Sequence, residues 1–120
     1  MSLKISVRQV GSVAVLDLSG RITLGEASGS LRDTIKDLLS KGQKNVILNL
    51  ADVSYIDSSG LGELVGGFAT VSNRGGSLKL LNVQQRVDEL MQITKLYSVF
   101  EAFTDEAAAV QSFQPRAASV

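Results

Sequence analysis

The sequence contains neither cysteine nor histidine, and these two absences exclude several kinds of chemistry. Without cysteine there is no disulfide framework, no thiolate metal site and no thiol nucleophile. Without histidine the chain cannot build a Ser-His-Asp triad, a histidine-ligated metal site or an imidazole general base. We therefore expect no enzymatic activity and no cofactor held by the chain itself.

An excess of charge of either sign is also missing, because 12 basic residues balance 12 acidic ones. A neutral chain has no overall field that attracts nucleic acid or an anionic membrane, so direct nucleic-acid binding is not expected. No apolar run approaches the ~20 residues of a membrane-spanning helix. The N-terminus has no basic segment followed by an apolar run. These patterns predict a cytoplasmic protein without membrane insertion.

Hydrophobic periodicity predicts strands that alternate with helices. Strands are predicted over residues 4–10, 13–19, 45–50, 77–81 and 100–103, and helices follow from near residues 23, 58, 82 and 104. The order β-β-α-β-α-β-α-β-α indicates an α/β fold with a mixed, mostly parallel sheet of about five strands and an antiparallel first strand at one edge.

Three local patterns set the expected ends of these elements. Gly20 and Arg21 are expected to break the second strand. Thr23 with Glu26 resembles a capping box, and Asn82 is expected to cap the third helix. The 120 residues suffice for one domain over residues 1–113, whereas residues 114–120 have too few apolar groups to dock and are expected to be flexible.

The most informative stretch runs from Val53 to Gly67 and reads V-S-Y-I-D-S-S-G-L-G-E-L-V-G-G. It joins a buried strand to a helix, so Asp57 and Ser58 lie where the helix presents its first N–H groups. Both are favourable N-cap residues. Serine hydroxyls at this place are exposed, oriented and close to the positive end of the helix dipole, which makes Ser58 and Ser59 the first candidates for chemistry.

The predicted helix has two distinct faces. Its apolar stripe consists of Leu61, Leu64, Val65, Phe68 and Val71. The opposite face carries Ser59, Gly62, Gly66 and Thr70, with Glu63 beside them. Each glycine inside a helix costs roughly 0.5–1 kcal/mol relative to alanine, so these small residues need an explanation. Either another protein covers this face, or a neighbouring helix of the same domain packs closely against it.

Other chemistries lack their motifs. A hydrolase would need a serine on a G-x-S-x-G elbow with a histidine partner. A phosphate loop would need a glycine-rich pattern before the helix, whereas G-L-G-E-L-V-G places its glycines within the helix and has no following lysine. The remaining candidate is a serine that another protein modifies. A phosphoserine adds about −1.5 to −2 charge, which a helix N-terminus tolerates.

The segment L-N-L-A-D-V-S-Y-I-D-S-S-G-L-G resembles the signature of STAS domains, specifically the small stand-alone anti-sigma factor antagonists of bacteria. The resemblance extends over nearly the whole chain, through D-L-S-G-R-I-T, G-G-S-L-K-L-L-N-V and L-Y-S-V-F-E-A-F-T-D-E-A-A-A. It implies that Ser58, directly after the aspartate, is phosphorylated by a partner kinase that is also the anti-sigma factor.

The same resemblance implies the rest of a switch. The unphosphorylated antagonist binds the kinase and frees a sigma factor, phosphorylation ends that binding, and a phosphatase reverses it. The kinase supplies ATP and Mg²⁺. Arg21 and Thr23 are expected beside Ser58, although many relatives carry an aspartate in place of Thr23. The expected partner-binding residues are Arg21, Thr23, Asp57, Ser59, Gly60, Gly62, Glu63, Gly66 and Thr70.

A second interpretation is a STAS subunit without a switch, in a signalling assembly or a lipid-transport complex, with Ser58 serving only as a helix cap. Nucleotide binding at the helix end formed by Asp57–Gly60 is conceivable, but no pattern in the sequence indicates recognition of a base. The sequence does not indicate whether the protein dimerises.

Overall fold

The structure, a computed structural model, describes residues 3–23, 26–96 and 98–113, and of residues 26–29 only the backbone. Nine elements follow one another in the predicted order. They are β1 (Lys4–Val10), β2 (Val13–Ile22), α1 (Glu26–Ser40), β3 (Asn45–Ile56), α2 (Ser58–Asn73), β4 (Ser77–Leu81), α3 (Gln85–Thr94), β5 (Ala102–Phe103) and α4 (Glu106–Gln111).

The five strands form one sheet in the order β1-β2-β3-β4-β5. β1 pairs with β2 in antiparallel fashion across a two-residue turn at Gly11-Ser12, and the other three pairings are parallel. Each pair of parallel strands is joined by a segment that contains a helix. The chain needs such a crossover because the second strand must start at the same end of the sheet as the first. The predicted fold class is therefore confirmed, including the antiparallel edge strand.

Helices cover both faces of the sheet, and the first half of β3 is buried between them. On one face α1, α2 and α3 pack on Val46, Leu48 and Leu50 of β3. On the other face α4 packs on a smaller apolar cluster that includes Ile47. A central strand that is apolar on both faces needs such a double cover.

Ion pairs and hydrogen bonds of charged side chains connect the short helix α4 to the sheet. Arg8 of β1 donates to Asp17 on β2 and to Glu106 at the start of α4, with nitrogen–oxygen distances of 2.5 and 2.6 Å. The hydrogen bonds from Arg8 hold the pKa of both carboxyl groups below their ordinary values. At the other end of α4, buried Lys79 donates to the Ser112 hydroxyl at 2.8 Å.

Two strands are longer than predicted, and this difference shapes the functional site. β2 continues through Gly20 and Arg21 to Ile22, so the predicted break there is wrong. β3 continues from Leu50 to Ile56 and pairs with this extension, with register shifts between Asp17 and Ser19 and between Gly20 and Arg21. Gly20 adopts φ +111°, a conformation that glycine tolerates, and the shifts remove the alternating pattern on which the prediction relied.

Smaller differences concern the ends of elements. Asn82 does not cap α3: the N-cap is Gln84, without a side-chain cap bond, while Asn82 adopts φ +58° and donates to the Asn49 side chain at 3.1 Å. The predicted strand at residues 100–103 is reduced to Ala102–Phe103. Residues 24–25 and the Glu26 side chain, within the predicted capping box, and the tail 114–120 lie outside the described residues, so those two predictions remain untested.

Candidate functional site

The candidate site lies where the extended ends of β2 and β3 meet the start of α2. Ile22 and Ile56, the last residues of the two strands, are paired in register, and the Asp57 backbone N–H lies 3.4 Å from the Ile22 carbonyl oxygen. The next residue, Ser58, is the first of α2. The strand extensions thus place residues 21–23 beside the helix N-terminus.

Asp57 caps α2. Its Oδ1 accepts from the Gly60 backbone N–H at 2.7 Å, and its backbone is extended, as at a regular N-cap. The cap predicted for Asp57 or Ser58 is thereby assigned to Asp57 alone. Ser58 lies within the helix, and a substitution at Ser58 removes no cap bond.

Gly60 is buried, which corrects its predicted place on the partner-binding surface. A Cβ added there would lie 2.0 Å from the Ile22 carbonyl oxygen and 2.7 Å from the Ile22 carbonyl carbon. Only glycine allows α2 to approach the end of β2 this closely. Gly60 therefore positions Ser58 and offers no surface of its own.

Ser58 and Ser59 are both exposed residues. Among the described residues neither hydroxyl has a hydrogen-bond partner, and the nearest carboxylate in sequence, Asp57, is bound to Gly60. Among the described residues, no side chain is hydrogen-bonded to either serine in the way a general base would be. The arrangement suits a hydroxyl that a second protein reaches from outside.

The exposed face of α2, defined by Ser59, Gly62, Gly66 and Thr70 with Glu63 beside them, does not pack closely on any described part of another helix at its glycines. A Cβ added at Gly62 or Gly66 would meet no atom of the described residues within 4 Å. The alternative of a close helix contact is therefore not supported by the described residues at these two positions. Gly67 makes that contact instead, because its added Cβ would lie 2.8 Å from Ile35 Cδ1 on α1.

The other two polar residues of this face already have partners in the chain. Glu63 accepts from Arg32 of α1 at 2.7 Å, and the Thr70 hydroxyl donates to the Gly66 carbonyl oxygen at 2.9 Å. Between α1 and α2 this leaves a groove of about 270 Å³, lined in part by Arg32 and Gly66. Sequence patterns gave no sign of Arg32, because its pairing depends on how two helices are placed.

Arg21 belongs to the extended end of β2 and Thr23 directly follows it, and their expected place beside Ser58 stays a prediction. Arg21 is exposed and stands over the ring of Tyr55, with its Cζ atom 4.7 Å from the ring centroid. Thr23 is half-buried directly after the strand. Tyr55 was missed by sequence reasoning, because the segment that contains it was taken for a connection and not for a strand.

The described residues contain no group of three or more acidic side chains arranged to hold a metal ion. None of their helices is both long enough and apolar enough to cross a bilayer.

Known proteins resemble this chain over nearly its whole length. The profile of the STAS domain family matches residues 4–109. The anti-sigma-B factor antagonist of Bacillus subtilis (strain 168) is 34% identical over 111 residues, which cover 92% of this chain and 100% of that relative.

Two solved structures share the fold. An anti-sigma factor antagonist from Mycobacterium paratuberculosis matches with a TM-score of 0.79 at 16% identity, over 95% of this chain and 96% of that one. The Bacillus cell fate determinant SpoIIAA in its phosphorylated form matches with a TM-score of 0.73 at 22% identity, over 92% and 100%. These findings confirm the resemblance carried by the D-S-S-G-L-G segment, and the chain belongs to the STAS domain family.

Proposed function

We propose that this protein is an anti-sigma factor antagonist that is switched by phosphorylation of Ser58. The observation that carries the proposal is the Ser58 hydroxyl at the first position of α2, exposed and next to a helix face that is open at Gly62 and Gly66. The relatives named anti-sigma factor antagonists support it. In its unphosphorylated form the chain binds an anti-sigma factor that is also a serine kinase, and a sigma factor is thereby released in the cytoplasm.

The chemical step belongs to the kinase, which supplies ATP and Mg²⁺. The Ser58 oxygen bonds to the γ-phosphorus while the bond from that phosphorus to ADP breaks, and the hydroxyl proton passes to a base. The Asp57 carboxylate, which is next to Ser58 in sequence, accepts from the Gly60 N–H in the helix cap. We therefore assign the base to the kinase. A phosphatase restores the hydroxyl by hydrolysis.

Phosphorylation is expected to change the surface and to leave the fold intact. The phosphate adds about −1.5 to −2 charge at the helix end where the dipole favours negative charge. The cap at Gly60 is untouched, because Asp57 provides it. A bulky anion beside Gly62 prevents a partner surface from lying flat on the exposed face of α2, so binding ends.

The alternative is a STAS subunit without a switch. It explained Ser58 as a helix cap, and the assignment of the cap to Asp57 removes that explanation. The two functions differ in the fate of the Ser58 hydroxyl, which stays unmodified in a subunit without a switch.

Site-resolved mass spectrometry of the protein from its own host, in growing and in stressed cells, tests the switch. We expect phosphate on Ser58 with an occupancy that changes between the two conditions. The kinase is then identified by its ability to phosphorylate the wild type and Ser59→Ala but not Ser58→Ala. Ser58 that stays unmodified in every condition, with phosphatases inhibited, contradicts the proposal and favours the subunit.

Binding measurements with that kinase give the second test. Ser58→Asp should weaken binding at least tenfold, about 1.4 kcal/mol, because it places a negative charge where the hydroxyl was. Ser72→Asp is the matched control, since Ser72 is exposed near the other end of α2. Both variants should keep the circular dichroism spectrum of the wild type. Equal affinity of Ser58→Asp and wild type counts against the switch.

A further inference from the structure

Arg21 is a cation without a carboxylate partner among the described residues. Of the other arginines in that part of the chain, Arg8 binds Asp17 and Glu106, and Arg32 binds Glu63. Arg74 and Arg86 are exposed and also have no ion pair there, but neither stands over an aromatic ring. Among the described arginines, Arg21 is therefore the one that lacks an ion pair and lies over an aromatic ring.

Tyr55 holds the Arg21 side chain in place. The guanidinium carbon lies 4.7 Å from the ring centroid, within the range of a cation–π contact. The contact depends on the register in which Arg21 pairs with Tyr55, after the irregularity at Gly20. An arginine stacked on a ring keeps the N–H groups at its edge available, and their fork matches a carboxylate. Ordering by the ring also lowers the entropy lost on binding.

The Arg21–Tyr55 pair lies next to the phosphorylation site. Tyr55 precedes Ser58 by three residues in sequence. Ile22 and Ile56, which follow the pair in each strand, are joined in register, and Ile22 accepts from the Asp57 N–H. Arg21 and Ser58 thus lie at the same edge of the sheet, where one partner surface can span both.

We propose that Arg21, held by the ring of Tyr55, binds an aspartate or glutamate side chain of the anti-sigma kinase and so selects kinases that carry an acidic residue at that place. This inference rests on the function proposed above. Charge complementarity argues for a carboxylate, because Arg21 is exposed and lacks an acidic partner in the described part of its own chain. The balance of 12 basic and 12 acidic residues disfavours nucleic acid as the occupant.

The test is the affinity of unphosphorylated variants for the kinase that phosphorylates Ser58, measured by titration calorimetry. Arg21→Gln should weaken binding about tenfold, as expected for one charge-assisted contact. Arg21→Glu should weaken it about a hundredfold, because a like charge then faces the carboxylate. Arg21→Lys should fall between wild type and Arg21→Gln. Arg74→Gln is the matched control and should bind as wild type does.

Variants at Tyr55 separate the stack from the charge. Tyr55→Phe keeps the ring and should retain the wild-type affinity, whereas Tyr55→Leu keeps Arg21 but removes the ring and should weaken binding. If Tyr55→Leu fails to fold, the series at Arg21 still decides the question. An Asp→Arg or Glu→Arg change in the kinase that restores binding to Arg21→Glu identifies the carboxylate.

Two results would overturn the inference and leave the switch standing. One is a wild-type affinity for Arg21→Glu. The other is an unchanged affinity of Arg21→Gln together with a raised phosphate pKa in its Ser58-phosphorylated form, measured by ³¹P NMR, which makes the chain's own phosphate the ligand of Arg21. A wild-type chain that neither binds a kinase nor becomes phosphorylated refutes the proposed function itself, and this inference with it.

Discussion

Replacing Gly60 with alanine should destabilise the protein, although alanine is the better helix former. The added Cβ would lie 2.0 Å from the carbonyl oxygen and 2.7 Å from the carbonyl carbon of Ile22. Both atoms belong to the backbone of β2, so no change of rotamer relieves the overlap. The helix N-terminus has to move away from the strand, and the cap and Ser58 move with it.

The size of the effect follows from two opposing contributions. An extra methyl group forced into a packed site costs typically about 1–3 kcal/mol, and contact with backbone atoms places this case near the upper end. The higher helix propensity of alanine returns roughly 0.5–1 kcal/mol. We expect a net loss of about 2 kcal/mol, a large share of the ~5–15 kcal/mol by which domains are stable.

Urea denaturation followed by circular dichroism measures this loss, and the same helix supplies the controls. Alanine at Gly62 or Gly66 meets no atom of the described residues within 4 Å, so each substitution should stabilise the protein by about 0.5–1 kcal/mol. The sign of the change thus reverses within one turn of α2. A Gly60→Ala protein as stable as wild type would refute the packing argument.

Two further predictions concern the cap and the fastening of α4. Asp57→Ala should cost about 0.5–2 kcal/mol in the same assay, because it leaves the Gly60 N–H without its acceptor, and Asp57→Asn should cost less since asparagine also caps. Arg8→Met should make the free energy of unfolding fall less steeply in acid. Arg8 lowers the pKa of Asp17 and Glu106 below their ordinary 3.8 and 4.5. Its contribution to stability is therefore present above pH ~4.5 and is lost as the pH falls below these values. Denaturation between pH 6 and 2.5 should show a shallower decline for Arg8→Met, and a decline parallel to that of wild type would contradict this account.

Local patterns were sufficient to predict much of the site. A capping residue followed by an apolar stripe locates the start of α2 within one residue. The cap bond itself is local, because it joins Asp57 to Gly60, three residues further along the chain. Alternation and periodicity also gave the order of the elements. These signals act over a few residues, so a single sequence displays them directly.

Contacts between distant segments were not predictable in the same way. In the sequence, Gly20 and Arg21 look like the end of a strand, although β2 continues through them. The register shifts at this place disturb the alternation of apolar and polar residues. Tyr55 acquires its role only when the extended β3 lies beside Arg21. Asn82 matches a capping pattern in sequence, yet its side chain binds Asn49 on the neighbouring strand. In each case tertiary pairing prevails over the local preference.

The glycines of α2 show why stability and binding have to be measured together. Gly60 is required by packing, since an added Cβ would lie within 3 Å of the Ile22 backbone, and Gly67 approaches the end of the Ile35 side chain, whereas Gly62 and Gly66 have no described neighbour within 4 Å. Sequence alone cannot separate the two kinds. If the kinase lies flat on the exposed face of α2, alanine at Gly62 or Gly66 should raise stability and lower affinity. Opposite signs of the two effects mean that these glycines serve binding; a gain in stability with unchanged affinity means that the partner does not touch this face.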